Sequence, residues 1–147
     1  MTRYLFLIFI CGLPSYILGS ANGAIFTSKY LYRKDIRMFG SGNPGLTNFY
    51  RVFGKSGVLL VVAIDAIKTI APVIFGGWLF ARYTDTALSE AWIWKGLFNV
   101  SLFGMTISGF FVMLGHCFTI FYGFKGGKAV MAVGAILIVL DWRIALI

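Results

Sequence analysis

The chain has 147 residues, 59% of them hydrophobic and 12% charged, with a mean hydropathy of +0.87. A soluble domain of this size could not hide so much apolar surface in one core, so the composition excludes a soluble globular protein and points to one membrane-embedded domain, 1–147. Thirteen Lys and Arg against five Asp and Glu leave a net charge of +8, which suits lipid headgroups or phosphorylated ligands. Nucleic acid fits poorly, because the basic residues are scattered over short loops between apolar runs.

The first predicted span is 4–28, which carries no charge and is long enough for ~30 Å of hydrocarbon. A cleaved signal peptide ending near Ser20–Ala24 is the alternative. The run is long for one, and cleavage would leave the basic loop that follows outside. That loop, 29–57, carries Lys29, Arg33, Lys34, Arg37, Arg51 and Lys55. The second span, 58–80, contains Asp65 and Lys68, three residues apart on one helix face and able to pair. Intramembrane charges usually face the bundle interior and mark function, so a structural pair and a supporting role beside a site both stay open. The third span is 96–115. The loop 116–128 adds Lys125 and Lys128, and a short apolar run, 129–140, follows. As a helix that run would reach only ~18 Å, which leaves its membrane depth open. After "DWR" (141–143), "IALI" (144–147) reads as the start of a fifth span that is missing.

Eight basic residues in the two polar loops oppose Arg3, Arg82, Lys95 and Arg143 on the other side. The positive-inside rule therefore places the N-terminus outside and both loops in the cytoplasm, with Trp92, Trp94 and Trp142 near outer span ends. The expected fold is an all-α polytopic bundle of about four spans plus the start of a fifth. Gly76, Gly77, Gly104, Ser108 and Gly109 suit close helix packing. Cys11 and Cys117 read as small buried thiols, since no CxxC or Cys/His ligand cluster accompanies them. No metal site is expected.

Two polar stretches interrupt this apolar chain. "GSGNPGLTNFYR" (40–51) has glycines that permit positive φ and a tight turn at Asn43-Pro44-Gly45. Its backbone N–H groups could form an anion-binding concavity, with Ser41, Gly42, Asn43, Thr47 and Asn48 around the ligand and Arg51 as a bidentate phosphate partner. A plain reversal between helices is the bland reading, but it does not need so many donors. "GHCFTIFYGFKGGK" (115–128) gathers Lys125, Gly126, Gly127 and Lys128 before a helix start, which is a second phosphate site by construction. It is not a nucleotide loop. The GxxxxGK[ST] spacing fails at Tyr122, Ala129 stands where a hydroxyl belongs, and acids for a nucleotide-bound magnesium are lacking. His116 either satisfies helix-end groups or serves as a donor or base near this loop.

"GSGNPGLTNFYRVFGKSG", then "DAIK", then "GHCFTIF-GFKGGK" resemble, in order and spacing, the bacterial acyl-phosphate:glycerol-3-phosphate acyltransferase family, usually called PlsY. The resemblance covers nearly the whole chain from Tyr16. It implies transfer of a fatty acyl group from acyl phosphate to the 1-hydroxyl of sn-glycerol 3-phosphate, giving lysophosphatidate and phosphate, the entry step to phospholipids. No cofactor is implied. The partners would be the two substrates, the lipid bilayer and the enzyme that supplies acyl phosphate, at the bacterial cytoplasmic (inner) membrane. Ser41 and Arg51 fall on the family's essential serine and arginine, and Gly126 and Gly127 on the glycines that serve glycerol 3-phosphate. Lys125 and Lys128 join as phosphate partners, and Asn43 and His116 as site neighbours. Whether a protein base is needed stays open, because a substrate phosphate oxygen could take the hydroxyl proton.

The chain departs from the family at Leu46 (usually alanine), Thr119 (a common proline), Ala129 (glycine), "VMA" at 130–132 (usually VAT) and Asn22 (often proline). The family also has a third motif near its C-terminus, with a histidine, an asparagine and a glutamate, that these 147 residues do not contain. A truncated acyltransferase is one expectation. A catalytically incomplete membrane protein that keeps an anion or lipid-phosphate site is the other.

Overall fold

The computed structural model describes residues 2–84 and 99–143. Among them the secondary structure is helical, with no strand: α1 (Thr2–Gly19), α2 (Gly23–Tyr32), α3 (Leu46–Phe53), α4 (Val58–Tyr83), α5 (Val100–Cys117) and α6 (Val130–Leu140). Short 3-10 turns lie at Ile36–Met38 and Ile120–Tyr122. Among the described residues three stretches are long and apolar enough to cross a membrane: Thr2–Tyr32, Val58–Tyr83 and Val100–Tyr122. The protein is an all-α, multi-pass integral membrane bundle. Trp92, Trp94, Lys95, residues 96–98 of the expected third span and residues 144–147 lie outside the described residues.

α5 packs along both α1 and α4, and α6 lies against α4 and α5. The helices approach through small residues. A Cβ at Gly104 of α5 would run into the Gly76 carbonyl of α4, and one at Gly19 of α1 would run into the Val112 carbonyl of α5. In lipid, where apolar surface gives helices little reason to associate, such backbone contact supplies the dispersion energy that does. One core cluster, Leu7, Cys11, Leu79 and Phe80, closes one end of the bundle. At the other end Ala24, Ile25, Ile36, Phe49 and Val61 bind α2, the first 3-10 turn and α3 onto α4.

The charge-free run 4–28 is not one helix. It breaks at Ser20–Asn22, where the glycines, serine and asparagine of "GSANG" favour the helix poorly and only Ala21 favours it well. Asn22 restarts the chain as the N-cap of α2, its Oδ1 accepting from the Ile25 N–H at 2.9 Å. A break inside an apolar bundle must still satisfy its backbone groups. Lys68 Nζ donates to the Ala21 carbonyl (2.6 Å), Asp65 Oδ1 accepts from Gly23 N–H (3.0 Å), and Thr119 Oγ1 donates to the Ser20 carbonyl (2.5 Å).

The expected loop 29–57 likewise contains the two-turn helix α3. Leu46, Phe49, Val52 and Phe53 follow helical spacing and pack on the buried cluster, while Thr47, Tyr50 and Arg51 stay exposed. The bulk of Leu46 therefore goes into the core, away from the polar face.

Candidate functional site

Both polar stretches lie at the same end of the bundle, the first bonded to the break between α1 and α2 and the second to the turn that precedes the first. Asn22 Nδ2 donates to the Pro44 carbonyl at 3.0 Å, and Arg37 donates to the Tyr122 carbonyl at 2.9 Å. Between them lies a cavity of about 410 Å³ lined by Asp35, Arg37, Met38, Gly42, Pro44, Lys125 and Gly126. That volume is within the usual range for small-molecule sites.

The first stretch is shaped from inside. Gly40 and Gly42 adopt φ of +59° and +72°, in the left-handed region that favours glycine. Asn48, 2% exposed, clamps the turn: its Oδ1 accepts from Ser41 N–H (2.9 Å) and its Nδ2 donates to the Phe39 carbonyl (3.0 Å). Asn48 is thus a brace for the loop rather than a free donor. Gly45, which could also take positive φ, has φ of −132° and caps α3. The Gly42 and Gly45 N–H groups donate within the loop, to the Phe39 and Asn43 carbonyls. Ser41 and Thr47 are exposed, and Asn43 is half-buried.

The second stretch differs from its expected chemistry. The Gly126 N–H donates to the Cys117 carbonyl (3.0 Å) and the Gly127 N–H to the His116 carbonyl (3.1 Å). These amides complete the C-terminus of α5, whose last carbonyls need donors, instead of cradling an anion. The glycines are required here by space. A Cβ at Gly126 would run into the His116 carbonyl, and one at Gly127 would fall 2.5 Å from His116 Nε2 and 3.0 Å from the Pro44 carbonyl. Lys125 and Lys128 are exposed, and Lys125 lines the cavity.

Ala129, at the start of α6, has φ of +56°, a conformation that strains any residue with a Cβ. Ala129→Gly is expected to stabilise the protein by about 0.5–1 kcal/mol, read as a rise in the thermal unfolding midpoint in detergent. An unchanged or lower midpoint would contradict this.

Asp65, Lys68 and His116 stand behind the loops. Lys68 Nζ bonds Asp65 Oδ1 at 2.9 Å and His116 Nδ1 at 2.8 Å, besides the Ala21 carbonyl. Both charged side chains are nearly inaccessible, at 4% and 3% exposure. Arg51 lies on the exposed face of α3, outside the cavity lining. Among the described residues no hydrogen bond or ion pair holds it, and none joins it to Ser41.

Sequence reasoning missed the latch between the stretches. Arg37 grips Asp35 through Nε and Nη2 (3.0 and 2.8 Å), and Lys29 adds a 3.2 Å contact to the same carboxylate. The Arg37 guanidinium and the Lys29 ammonium also sit near the Tyr122 ring. The Arg37 hydrogen bond holds the Asp35 carboxyl well below the usual carboxylate range. A depressed value keeps the pair's contribution in place above that range, to be lost only in strong acid. The available signal was the "DIR" triplet, in which an acid and an arginine are spaced to share one turn. Asn22 and Thr119, two departures from the resembled pattern, are both buried and both bridge to the break or the first turn.

A family profile described as glycerol-3-phosphate acyltransferase matches residues 8–147. The glycerol-3-phosphate acyltransferase of Ureaplasma urealyticum serovar 10 is 35% identical over 144 residues, covering 98% of this chain and 55% of the relative. That of Staphylococcus saprophyticus is 37% identical over 116 residues, covering 79% of this chain and 52% of the relative. The chain thus spans about half the length of the curated relatives it matches. Among solved structures, the crystal structure of PlsY (YgiH), an integral membrane glycerol 3-phosphate acyltransferase, is similar in its glycerol 3-phosphate form. The TM-score is 0.70 at 28% identity, over 99% of this chain and 61% of that one. Its lysophosphatidic acid form gives 0.69 at 25% identity, over 95% and 59%.

Proposed function

The chain belongs to the glycerol-3-phosphate acyltransferase family, and from that premise we propose that it serves the transfer of a fatty acyl group from acyl phosphate to the 1-hydroxyl of sn-glycerol 3-phosphate. The observation that carries this reading is the cavity that joins Gly42 and Pro44 of one loop to Lys125 and Gly126 of the other, at one end of an apolar bundle. Both substrates bear phosphate, and both loops bring cations. The acyl chain needs an apolar groove, which the helices can supply.

In the proposed reaction the 1-hydroxyl oxygen attacks the acyl carbonyl carbon, and a C–O bond forms. The bond from that carbon to the phosphate oxygen breaks, and phosphate departs with the electron pair. The hydroxyl proton passes to a phosphate oxygen. Because phosphate is a good leaving group, the protein's task is positioning and charge stabilisation. Ser41 and Arg51 are assigned to the reacting centre by their match to the family's essential residues. Lys125 and Lys128 hold phosphate groups. Gly42, Asn43 and Thr47 border the ligand, while Asn48, Gly126 and Gly127 shape the loops around it. The excess of basic residues in the two loops supports a cytoplasmic site on the inner membrane of a bacterium, with the N-terminus outside, supplied by an enzyme that makes acyl phosphate.

The test is acyl transfer by the protein in proteoliposomes, carrying this chain with any sequence that follows it in the natural gene. Palmitoyl phosphate and labelled glycerol 3-phosphate should yield labelled lysophosphatidate. Glycerol 3-phosphate binding without any transfer would instead favour a non-catalytic anion-binding membrane protein.

A further inference from the structure

An ammonium group has three N–H donors and no acceptor. All three donors of Lys68 are engaged: with Asp65 Oδ1 on its own helix, with the Ala21 carbonyl at the break between α1 and α2, and with His116 Nδ1 at the end of α5. The last contact decides the state of the imidazole. Because Lys68 only donates, His116 Nδ1 must accept, and the ring proton lies on Nε2. That nitrogen and the Pro44 carbonyl both lie at the face of Gly127 where a side chain would stand. His116 is 3% exposed and does not line the cavity. The carbonyl of the same residue accepts the Gly127 N–H. One residue thus meets the second loop through both its backbone and its ring, and the Pro44 carbonyl of the first loop approaches the same face of that glycine.

We infer that Asp65, Lys68 and His116 form one positioning unit that sets the spacing between the two glycine-rich loops, and that His116 removes no proton from the acceptor hydroxyl. The saturated ammonium locks the ring in a single tautomer and rotamer. The ring in turn fixes the narrow space that Gly127 shares with the Pro44 carbonyl. A general base needs an unprotonated nitrogen facing the substrate. Here that nitrogen faces Lys68, and the outward nitrogen already carries hydrogen. The intramembrane charges hold the broken first span, α4 and α5 in register beneath the site. His116 is therefore a positioning residue.

Two measurements test this, and only the second rests on the acyl-transfer reading. The first is 15N NMR of the 15N-histidine-labelled protein in detergent at neutral pH, with the His116 signal assigned by its disappearance in His116→Gln. The expected spectrum has one neutral tautomer, protonated at Nε2 and bare at Nδ1, and in Lys68→Met the single tautomer gives way to a mixture. Lys68→Arg, which keeps the charge and donors, serves if Lys68→Met does not fold, and should retain the wild-type tautomer. A proton on Nδ1, an imidazolium, or a Lys68→Met spectrum identical to wild type would overturn the inference. The second is a kinetic split in His116→Gln. Positioning predicts that KM for glycerol 3-phosphate rises about tenfold while kcat falls less than about threefold. A kcat loss of about 10²-fold or more at unchanged KM is the signature of a lost general base and would overturn it. If the wild-type protein transfers no acyl group, the proposed function fails while the tautomer still decides the positioning role.

Discussion

Arg51→Ala is expected to lower acyl transfer by about 10²–10³-fold, and Ser41→Ala to bring it near the limit of detection. The magnitude is that of removing one preorganised group that stabilises developing charge in a water-poor site. The loops contain several cations, and the geometry separates them by what already holds them. Arg37 is committed to Asp35 and to the Tyr122 carbonyl, and Lys68 has no donor left. Arg51 lies exposed within α3, which starts after the four turn residues that follow Ser41, with its guanidinium fork uncommitted among the described residues. A planar fork can grip two phosphate oxygens at once, which a lysine cannot. Arg51→Lys should therefore recover only a small part of the loss. Neither residue supports the core, so both variants should keep the wild-type unfolding midpoint. Turnover is read with labelled glycerol 3-phosphate in proteoliposomes, and wild-type rates in both alanine variants would remove these residues from the reacting centre.

The second large effect is expected at Gly126. A Cβ there meets the His116 carbonyl oxygen and comes within 2.8 Å of the Cys117 carbonyl oxygen. Both are backbone atoms at the end of a packed helix, and neither can swing aside as a flexible side chain would. The loop must then move off α5, breaking the Gly126 and Gly127 hydrogen bonds to those carbonyls and opening the cavity that Gly126 lines. Overpacking of this kind costs about 1–3 kcal/mol, and the rigid neighbours put Gly126→Ala toward the upper end. Apparent affinity for glycerol 3-phosphate should fall at least about tenfold, because displacement of a positioning group by an ångström is felt strongly. Substrate-dependent thermal shift and KM together check this. A Gly126→Ala protein with normal KM would show that the loop's seat on α5 does not shape the site.

The two positions also mark how far the residues could be read in advance. Arg51 and Ser41 stand out in the sequence because polar, donor-rich residues are rare in so apolar a chain, and the structure leaves both exposed. Gly126 and Gly127 stand out in the sequence too, but the structure gives their amides partners that the sequence does not suggest. A glycine pair between lysines suggests open amides for an anion, yet the partner of each amide is a carbonyl at the end of α5. Asn48 followed the same course, a donor by composition and a brace by position. The helix α3 was present in the spacing of Leu46, Phe49 and Phe53, although a count of charges reads that stretch as loop.

The sequence by itself determined that this is an apolar helical bundle with two basic, glycine-rich stretches, because hydropathy and charge act locally and leave their pattern along the chain. Only the tertiary structure decided that the first span breaks at Ser20–Asn22, that Lys68 and Asp65 hold the broken ends, and that Arg37 latches one loop to the other. Each of these depends on partners more than forty residues apart. A buried donor or acceptor must find a partner wherever packing places one, and no local pattern in the chain encodes which distant residue that will be.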